Sequence, residues 1–201
     1  MKRAVSPVLK GVAIAAAIVI GLLAHERVRS RPYQSEQVVI AGVANAGRIG
    51  SHLLRGAQPS LAGFQALRAL GVTSVINLTT GRDEVTMEQA TVEGLGMEYI
   101  HLPWSAVHDP PAEHVRAFVD WLETHHDTLT FVHCKAGVDR TGTMVASYRL
   151  LAQGWSADAA VAEMDAFHFH WLLHPHLQRF VYALAAARDA GTAVHVVAST
   201  R

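Results

Sequence analysis

The sequence predicts an α/β fold in which a central, mainly parallel sheet is flanked by helices on both faces. Three short and mostly apolar runs, at 72–78, 97–102 and 129–133, have the length and composition of buried strands. Longer segments with helix signals lie between them, and this alternation is typical of parallel sheets covered on both faces. Half of the residues are hydrophobic, which is enough for a substantial core.

Capping residues and glycines mark the ends of the predicted helices. Ser60 stands at the N-cap position of the first helix, which Gly71 ends, and Ser156 caps a later one. Asp109 precedes two prolines, a combination that favours a helix start. The predicted helices are 60–70, 83–94, 111–126, 141–153, one that begins after Ser156, and 176–188.

The length and composition indicate one globular domain. We divide the 201 residues into an N-terminal segment with its linker (1–36), a domain (37–190) and a tail (191–201). The 17 Lys and Arg residues balance the 17 Asp and Glu residues, so no net charge directs the chain to nucleic acid. A single cysteine excludes an intramolecular disulfide and leaves that thiol without a resolving partner.

The N-terminal segment contains 14 residues, 11–24, without a charged or strongly polar side chain. A helix at the surface of a soluble domain would keep a polar face, whereas a run of this length suits a secretory signal. Because the cleavage signal is poor, we predict an uncleaved signal-anchor first, with 8–24 as a membrane tether, and cleaved export second. Either places the domain in the cell envelope, facing or within the periplasm. Basic residues flank the run on both sides, so charge does not fix its orientation.

The only cysteine, Cys134, lies between the strand 129–133 and the helix 141–153, and five residues separate it from Arg140. A thiol attacks phosphorus as its thiolate. The N-terminus of a helix presents unpaired N–H groups and positive potential, and Arg140 adds a full positive charge. This arrangement therefore predicts a nucleophile in an anion-binding loop.

The residues of the loop are suited to bind a phosphoryl group. Its backbone N–H groups can surround a tetrahedral anion, Gly137 permits positive φ, and Arg140 can bind two oxygens with its planar fork. Thr141 can donate its hydroxyl to the sulfur when the thiolate leaves, and His133 is expected to orient the loop through backbone hydrogen bonds. The predicted phosphate-binding residues are Lys135, Ala136, Gly137, Val138, Asp139 and Arg140.

The run His133-Cys134-x5-Arg140-Thr141-Gly142 resembles the signature of the cysteine-dependent protein tyrosine phosphatases, in the dual-specificity branch. The resemblance to compact bacterial members covers roughly 45–185. It implies a phosphatase-like α/β fold and a phosphocysteine intermediate that is then hydrolysed, with no metal or cofactor. The further matching segments are 54–59, 71–78, 100–104 and 153–156.

The resemblance also implies a general acid, an aspartate on a mobile loop upstream of the cysteine. Asp109 is our first candidate, because it follows the strand that ends at Leu102 and so lies at the carboxyl edge of the sheet. Its alternative role is to cap the helix 111–126. His108 and Asp83 are the other candidates for the acid.

Asp139 departs from the commoner dual-specificity pattern, although an Asp-Arg pair recurs in some bacterial and lipid-directed members. We expect it to orient Arg140 by a salt bridge or to cap the loop, with a second role in positioning the hydrolytic water as an alternative. Lipid-directed relatives often carry two lysines in the loop. This chain has Lys135 at the first of these two positions but Val138 at the second, which weakens the hypothesis of a phosphoinositide substrate.

Other polar residues are predicted to be structural. Arg55 and Arg82 could reach phosphate, but we expect each to be a surface arginine or a buried ion-pair partner. A cluster of histidines is better explained by surface or capping roles than by a metal site, since no cysteine or carboxylate completes a ligand set. The cluster comprises His168, His170, His174 and His176.

These sequence features are consistent with three functions. The first is a phosphatase for phosphotyrosine, and for phosphoserine or phosphothreonine, in proteins. The second is a phosphoinositide or inositol-phosphate phosphatase, and the third is an inactive, membrane-tethered phosphate-binding module. Rhodanese-like enzymes and small arsenate reductases also use an anion-binding cysteine loop, but the flanking elements resemble the phosphatase order more closely.

Overall fold

The computed structural model of this chain describes residues 35–192, and its centre is a six-stranded sheet with the order β1-β2-β3-β6-β4-β5. β3, β6, β4 and β5 run parallel, whereas β1 and β2 add an antiparallel edge. The predicted mainly parallel sheet is therefore confirmed. The strands are β1 (Glu36–Gln37), β2 (Gly47–Ile49), β3 (Leu53–Ala57), β4 (Val72–Asn77), β5 (Glu98–His101) and β6 (Leu129–Cys134).

Helices cover both faces of the sheet, as predicted. α1 and α2 pack on one face over a cluster that includes Phe64, Val75 and Phe131, and α3 to α6 pack on the other over Phe118 and Val132. Each predicted helix is present, with ends within two residues of those expected wherever both were specified. The helices are α1 (Leu61–Ala69), α2 (Arg82–Gly94), α3 (Ala112–Thr124), α4 (Asp139–Leu151), α5 (Ala157–Ala166) and α6 (Pro175–Asp189).

The three N-terminal strands were absent from the sequence prediction, and β3 is the most important of them. Its sequence, LLRGA, has neither β-branched residues nor polar alternation, yet all five residues are buried. It forms because it is inserted between β2 and β6, where its register pairs Ala57 with Cys134. The β3–β6 pairing therefore brings residues 55–58 beside the cysteine loop.

The parallel strands end at one edge of the sheet. Ala57 of β3 is level with Cys134 of β6, and Asn77 of β4 is level with His133. The loops that follow β3, β4, β5 and β6 leave from this edge, which is where ligands bind in open α/β sheets. The fold thus gathers four loops around the cysteine.

The described domain begins at Ser35, whose backbone N–H donates to Glu163 Oε1 at 3.0 Å. Within residues 35–192, no helix combines the length and hydropathy needed to cross a membrane. The predicted signal-anchor, with its tether at 8–24, lies outside the described residues.

Candidate active site

Cys134 is the last residue of β6, and its side chain is almost completely buried at the base of a short loop, residues 135–138. α4 follows directly and begins at Asp139, two residues earlier than predicted. Arg140 therefore belongs to the first helical turn, where backbone N–H groups have no partner within the helix. The first backbone hydrogen bond of this turn runs from the N–H of Gly142 to the carbonyl of Val138, at 2.7 Å.

Two carbonyl groups of the loop are held by donors on its outer side. The Gly137 carbonyl accepts from Arg55 Nη2 at 3.0 Å and from Asn45 Nδ2 at 3.1 Å, and the Lys135 carbonyl accepts from the Gln58 N–H at 3.3 Å. Among the described residues, the N–H groups of 135–138 donate no hydrogen bond. A loop with two carbonyls bound from outside and with unpaired amides is suited to bind an oxyanion.

Gly137 is where the loop meets β3. Its φ is +70°, in the region that glycine adopts without strain. A Cβ atom at this position would lie 2.3 Å from the carbonyl carbon of Gly56 and 2.4 Å from the nitrogen of Ala57. Both the backbone conformation and the close approach to β3 therefore require glycine.

Arg140 joins three of the four loops at this edge of the sheet. Its Nη1 atom donates to the carbonyl of Leu78, after β4, at 3.1 Å and to that of Trp104, after β5, at 3.3 Å. These two carbonyls fix the plane of the half-buried guanidinium. A lysine could not make both contacts and also offer a planar fork to phosphate.

Thr141 is fully buried in the first turn of α4, and its hydroxyl makes no hydrogen bond with any described residue. A buried hydroxyl without a partner is costly, and such groups occur where function needs them. The expected donation from Thr141 to the sulfur stays a prediction.

His133 belongs to a buried polar network that the sequence analysis missed. Its Nε2 atom lies 3.0 Å from Oε1 of Glu88, a residue of α2, and both side chains are almost fully buried. Glu88 also accepts hydrogen bonds from Gln58 at 2.9 Å, from Asn77 at 2.6 Å and from Tyr99 at 3.1 Å. One signal could have revealed Glu88: it shares the buried face of α2 with Val85 and Val92.

The network keeps Glu88 ionised beneath the nucleophile. Burial acts to raise the pKa of the Glu88 carboxyl, but the hydrogen bonds and the charge interaction with His133 outweigh it and lower the pKa overall. Burial, together with the nearby Glu88 carboxylate, raises the pKa of Tyr99. The other ring nitrogen of His133 lies 3.4 Å from the Cys134 carbonyl oxygen, so the network is adjacent to the backbone of the catalytic loop.

We expect Glu88→Gln to destabilise the domain by about 1.5–3 kcal/mol at neutral pH, the range for a lost charge-assisted hydrogen bond. The folded-state pKa of Glu88 lies below its ordinary value of 4.5, so its contribution is present above pH 4.5 and is lost as the pH falls through the folded value. Urea unfolding on both sides of pH 4.5 would measure this loss.

The matched control for Glu88 is Glu84→Gln on the same helix, because the ion pair of Glu84 with Lys135 is exposed and should contribute little. A difference in unfolding free energy between the wild type and Glu88→Gln that does not shrink at acid pH would contradict the role of the carboxylate.

Asp109 lies in the loop between β5 and α3 and is exposed. The expected capping role is wrong: α3 begins at Ala112, Pro111 occupies the N-cap position, and no side chain caps the helix. Among the described residues the Asp109 carboxyl makes no hydrogen bond, and the same loop reaches the site through the carbonyl of Trp104. Its role as the acid stays a prediction. The alternatives, His108 and Asp83, are also exposed.

Asp139 does not pair with Arg140, and that part of the prediction is wrong. Its carboxylate accepts from the backbone N–H of His170 at 2.9 Å, lies 3.0 Å from the same residue's Nδ1, and lies 3.9 Å from His174 Nε2. Asp139 therefore links α4 to the segment before α6, and its side chain points away from Arg140.

In residues 35–192, no group of three His, Cys, Asp or Glu side chains is placed to hold a metal ion.

The remaining basic residues differ in their surroundings. Lys135 is exposed, and its Nζ atom lies 3.1 Å from both Gln58 Oε1 and Glu84 Oε2. Arg82 is exposed at the start of α2. Arg55 is neither a surface residue nor an ion-pair partner, contrary to both expectations: it is fully buried and donates to the Gly137 carbonyl.

Two curated proteins are similar to part of this chain. The dual specificity protein phosphatase TpbA of Pseudomonas aeruginosa strain PAO1 is 31% identical over 121 residues, which are 60% of this chain and 53% of TpbA. The human dual specificity protein phosphatase 26 is 32% identical over 117 residues, which are 53% of this chain and 52% of that protein. The chain spans about half the length of these curated relatives.

Solved structures share the fold. The crystal structure of P. aeruginosa TpbA aligns with a TM-score of 0.61 at 24% identity and covers 77% of this chain and 98% of its own. The structure of TpbA in complex with pTyr aligns with a TM-score of 0.60 at 22% identity, with 77% and 97% covered.

A family model described as DSP-PTPase phosphatase fused to NAD+ kinase matches residues 42–171, from the segment before β2 to the loop before α6. The matched region contains Cys134, Arg140, Asp109 and the β3 segment that supports the loop. Since the match extends over more than half of the chain, the protein belongs to this DSP-PTPase family of cysteine-dependent, dual-specificity phosphatases.

Proposed function

We propose that this protein is a phosphomonoester hydrolase that acts through a phosphocysteine intermediate, as a protein tyrosine or dual-specificity phosphatase. One observation carries the proposal: Cys134 lies at the base of a loop whose amides have no partner among the described residues, while its Lys135 and Gly137 carbonyls are bound from outside. Membership of the DSP-PTPase family supports it.

The proposed reaction has two displacements at phosphorus. In the first, the Cys134 thiolate forms an S–P bond as the ester P–O bond breaks, and Asp109 gives a proton to the departing oxygen. In the second, Asp109 takes a proton from water, the water oxygen attacks phosphorus, and the S–P bond breaks with the hydroxyl of Thr141 stabilising the thiolate. The loop amides and Arg140 bind the non-bridging oxygens throughout.

The surroundings of the loop favour a singly phosphorylated ester over a phosphoinositide. A headgroup with several phosphates needs additional positive charge, but Lys135 is the only lysine of the loop 135–138, and Val138 stands where lipid-directed relatives often have a second one. Phosphotyrosine is the ligand named in the TpbA complex, a protein of the same fold.

A substrate panel tests this preference. We expect kcat/KM to be higher for phosphotyrosine peptides than for soluble short-chain phosphoinositides, with phosphoserine and phosphothreonine peptides included to define dual specificity. The reverse order would favour the inositide function. Absence of turnover of every substrate, aryl phosphates included, would favour the phosphate-binding module.

Asp109→Asn should lower kcat most for esters with poor leaving groups, by about 10²- to 10⁴-fold, because these need a proton as the P–O bond breaks. Aryl phosphates with acidic leaving groups should be affected less. Rates for a series of aryl phosphates of graded leaving-group pKa would measure this. His108→Asn and Asp83→Asn are the comparison variants, and equal losses across the series would remove Asp109 from the acid role.

We also propose that the chain acts in the cell envelope, tethered to a membrane through residues 8–24. The proposal rests on the apolar run 11–24, which lacks the polar face of a soluble-domain helix. Membranes from cells that express the full chain should retain it after carbonate extraction, whereas recovery in the soluble fraction would contradict the tether.

A further inference from the structure

Arg55 is a buried cation that forms no ion pair within residues 35–192. It is fully buried on β3, its Nη2 atom donates to the Gly137 carbonyl, and its Nε and Nη1 atoms have no hydrogen-bond partner among these residues. Arg149 provides the contrast within the same domain: it is equally buried, but Glu163 binds it at 2.6 and 3.0 Å. Of these two buried arginines, only Arg149 forms an ion pair.

A buried charge of this kind is unfavourable. A cation that moves into the protein interior without a paired anion loses its hydration, which costs several kcal/mol. Burial lowers the pKa of Arg55 to about 10, which still leaves the guanidinium protonated at neutral pH. The ring of Phe167, 4.0 Å from Arg55 Cζ, offers partial compensation through a cation–π contact.

The position of Arg55 connects this charge with the catalytic loop. The hydrogen bond to Gly137 places the guanidinium directly behind the loop, and a Cβ atom on Gly142, in α4, would lie 3.8 Å from Arg55 Nη2. In the part of the chain that the structure describes, two of its guanidinium nitrogens lack a hydrogen-bond partner. The charge therefore lies between the loop and the first turn of α4, on the side opposite to solvent.

We propose that Arg55 is a positioning residue of the active site, whose charge is the buried counter-charge of the Cys134 thiolate and of the phosphoryl group bound in the loop. Its hydrogen bond also holds the Gly137 carbonyl outward, so that the loop amides point to the oxyanion. The proposal rests on the phosphoryl transfer at Cys134 proposed above.

Other charged groups lie near Cys134 or act on Arg55, and their effects have to be distinguished from the effect of Arg55 itself. Arg140 from α4 and the His133–Glu88 pair flank Cys134. Glu163 from α5 and Arg149 from α4 act on Arg55 with opposite signs. Because Glu163 is bound to Arg149, it is not available as the partner of Arg55.

The test measures the thiol directly, without any need for turnover. In the full chain, the rate of alkylation of the single cysteine by iodoacetamide at one fixed pH measures the reactivity of Cys134. We expect Arg55→Met to slow this alkylation about tenfold, because a nearby positive charge favours the thiolate, the form that reacts. Binding of inorganic phosphate, measured by calorimetry, should weaken at least as much.

Two controls separate charge from hydrogen bonding and from burial. Asn45→Gly removes the other donor to the Gly137 carbonyl but no charge, and glycine suits the positive φ of that position. The double variant Arg149→Met/Glu163→Met removes a buried arginine together with its partner. Both should leave the alkylation rate of Cys134 close to that of the wild type.

A folded Arg55→Met protein with wild-type alkylation and phosphate binding would overturn the proposal, as would equally slow alkylation in Asn45→Gly. If Arg55→Met does not fold, NMR of the Arg55 Nε–H in the wild-type chain decides. Its resonance should move when Cys134 is alkylated, and a resonance that alkylation leaves unchanged would overturn the proposal. If the thiol depends on Arg55 but no phosphate ester is hydrolysed, the proposed function fails, and only the role of Arg55 toward the Cys134 thiolate stands.

Discussion

Replacement of Cys134 by serine should reduce turnover of an aryl phosphate by about 10⁵-fold or more, because loss of a nucleophile removes the covalent pathway altogether. Binding of inorganic phosphate should remain close to that of the wild type, since the loop amides and Arg140 contact the oxygens and not the sulfur. Initial rates and calorimetry on the same preparation would measure the two effects separately.

The single cysteine makes this experiment well controlled. A thiol-selective alkylating reagent has Cys134 as its one target in this chain, so chemical modification and mutation should abolish turnover to a similar extent. Thermal unfolding of Cys134→Ser serves as the check on folding. A serine variant with undiminished turnover would show that the sulfur is not the nucleophile.

Arg140→Lys should lower kcat/KM by about 10²- to 10³-fold, the effect of losing one preorganised oxyanion donor. Unlike Cys134→Ser, it should also weaken phosphate binding. Arg140 is held by the carbonyls of Leu78 and Trp104, and an ammonium group cannot keep this anchoring while it presents two parallel N–H groups to phosphate.

The control for Arg140 is Arg179→Lys, an exposed arginine on α6. It should leave both kcat/KM and phosphate affinity unchanged. If Arg140→Lys lowered kcat while phosphate affinity stayed at the wild-type value, Arg140 would act only in the transition state and not in ground-state binding.

The catalytic loop could be predicted from the sequence because its determinants are local. A buried strand, a cysteine, five loop residues and an arginine in the first turn of a helix follow one another directly, so that the spacing alone determines much of the geometry. The helices were predictable for the same reason, since Ser60 and Ser156 cap α1 and α5 as expected.

Support for the loop could not be predicted, because it comes from parts of the chain that are distant in sequence. Arg55 reaches the Gly137 carbonyl only through the pairing of β3 with β6, and Glu88 reaches His133 from a helix on one face of the sheet. β3 itself carries no local strand signal. Its burial and its register follow from tertiary packing.

Asp139 shows how sequence adjacency misleads. The carboxylate was expected to bind its neighbour Arg140, but the helix directs the two side chains to different partners. Asp139 binds His170 and Arg140 binds the backbone after β4 and β5. The capping role of Asp109 was also wrong, because Pro111 occupies the N-cap position and the helix begins at Ala112.

Rapid acid quenching of the protein during turnover of a ³²P-labelled ester tests the phosphocysteine mechanism most directly. The mechanism predicts label on the sulfur of Cys134 at a level that rises within the first turnover, and no label in Cys134→Ser. Turnover without any phosphorus on that sulfur, or hydrolysis that continues after alkylation of Cys134, would contradict it.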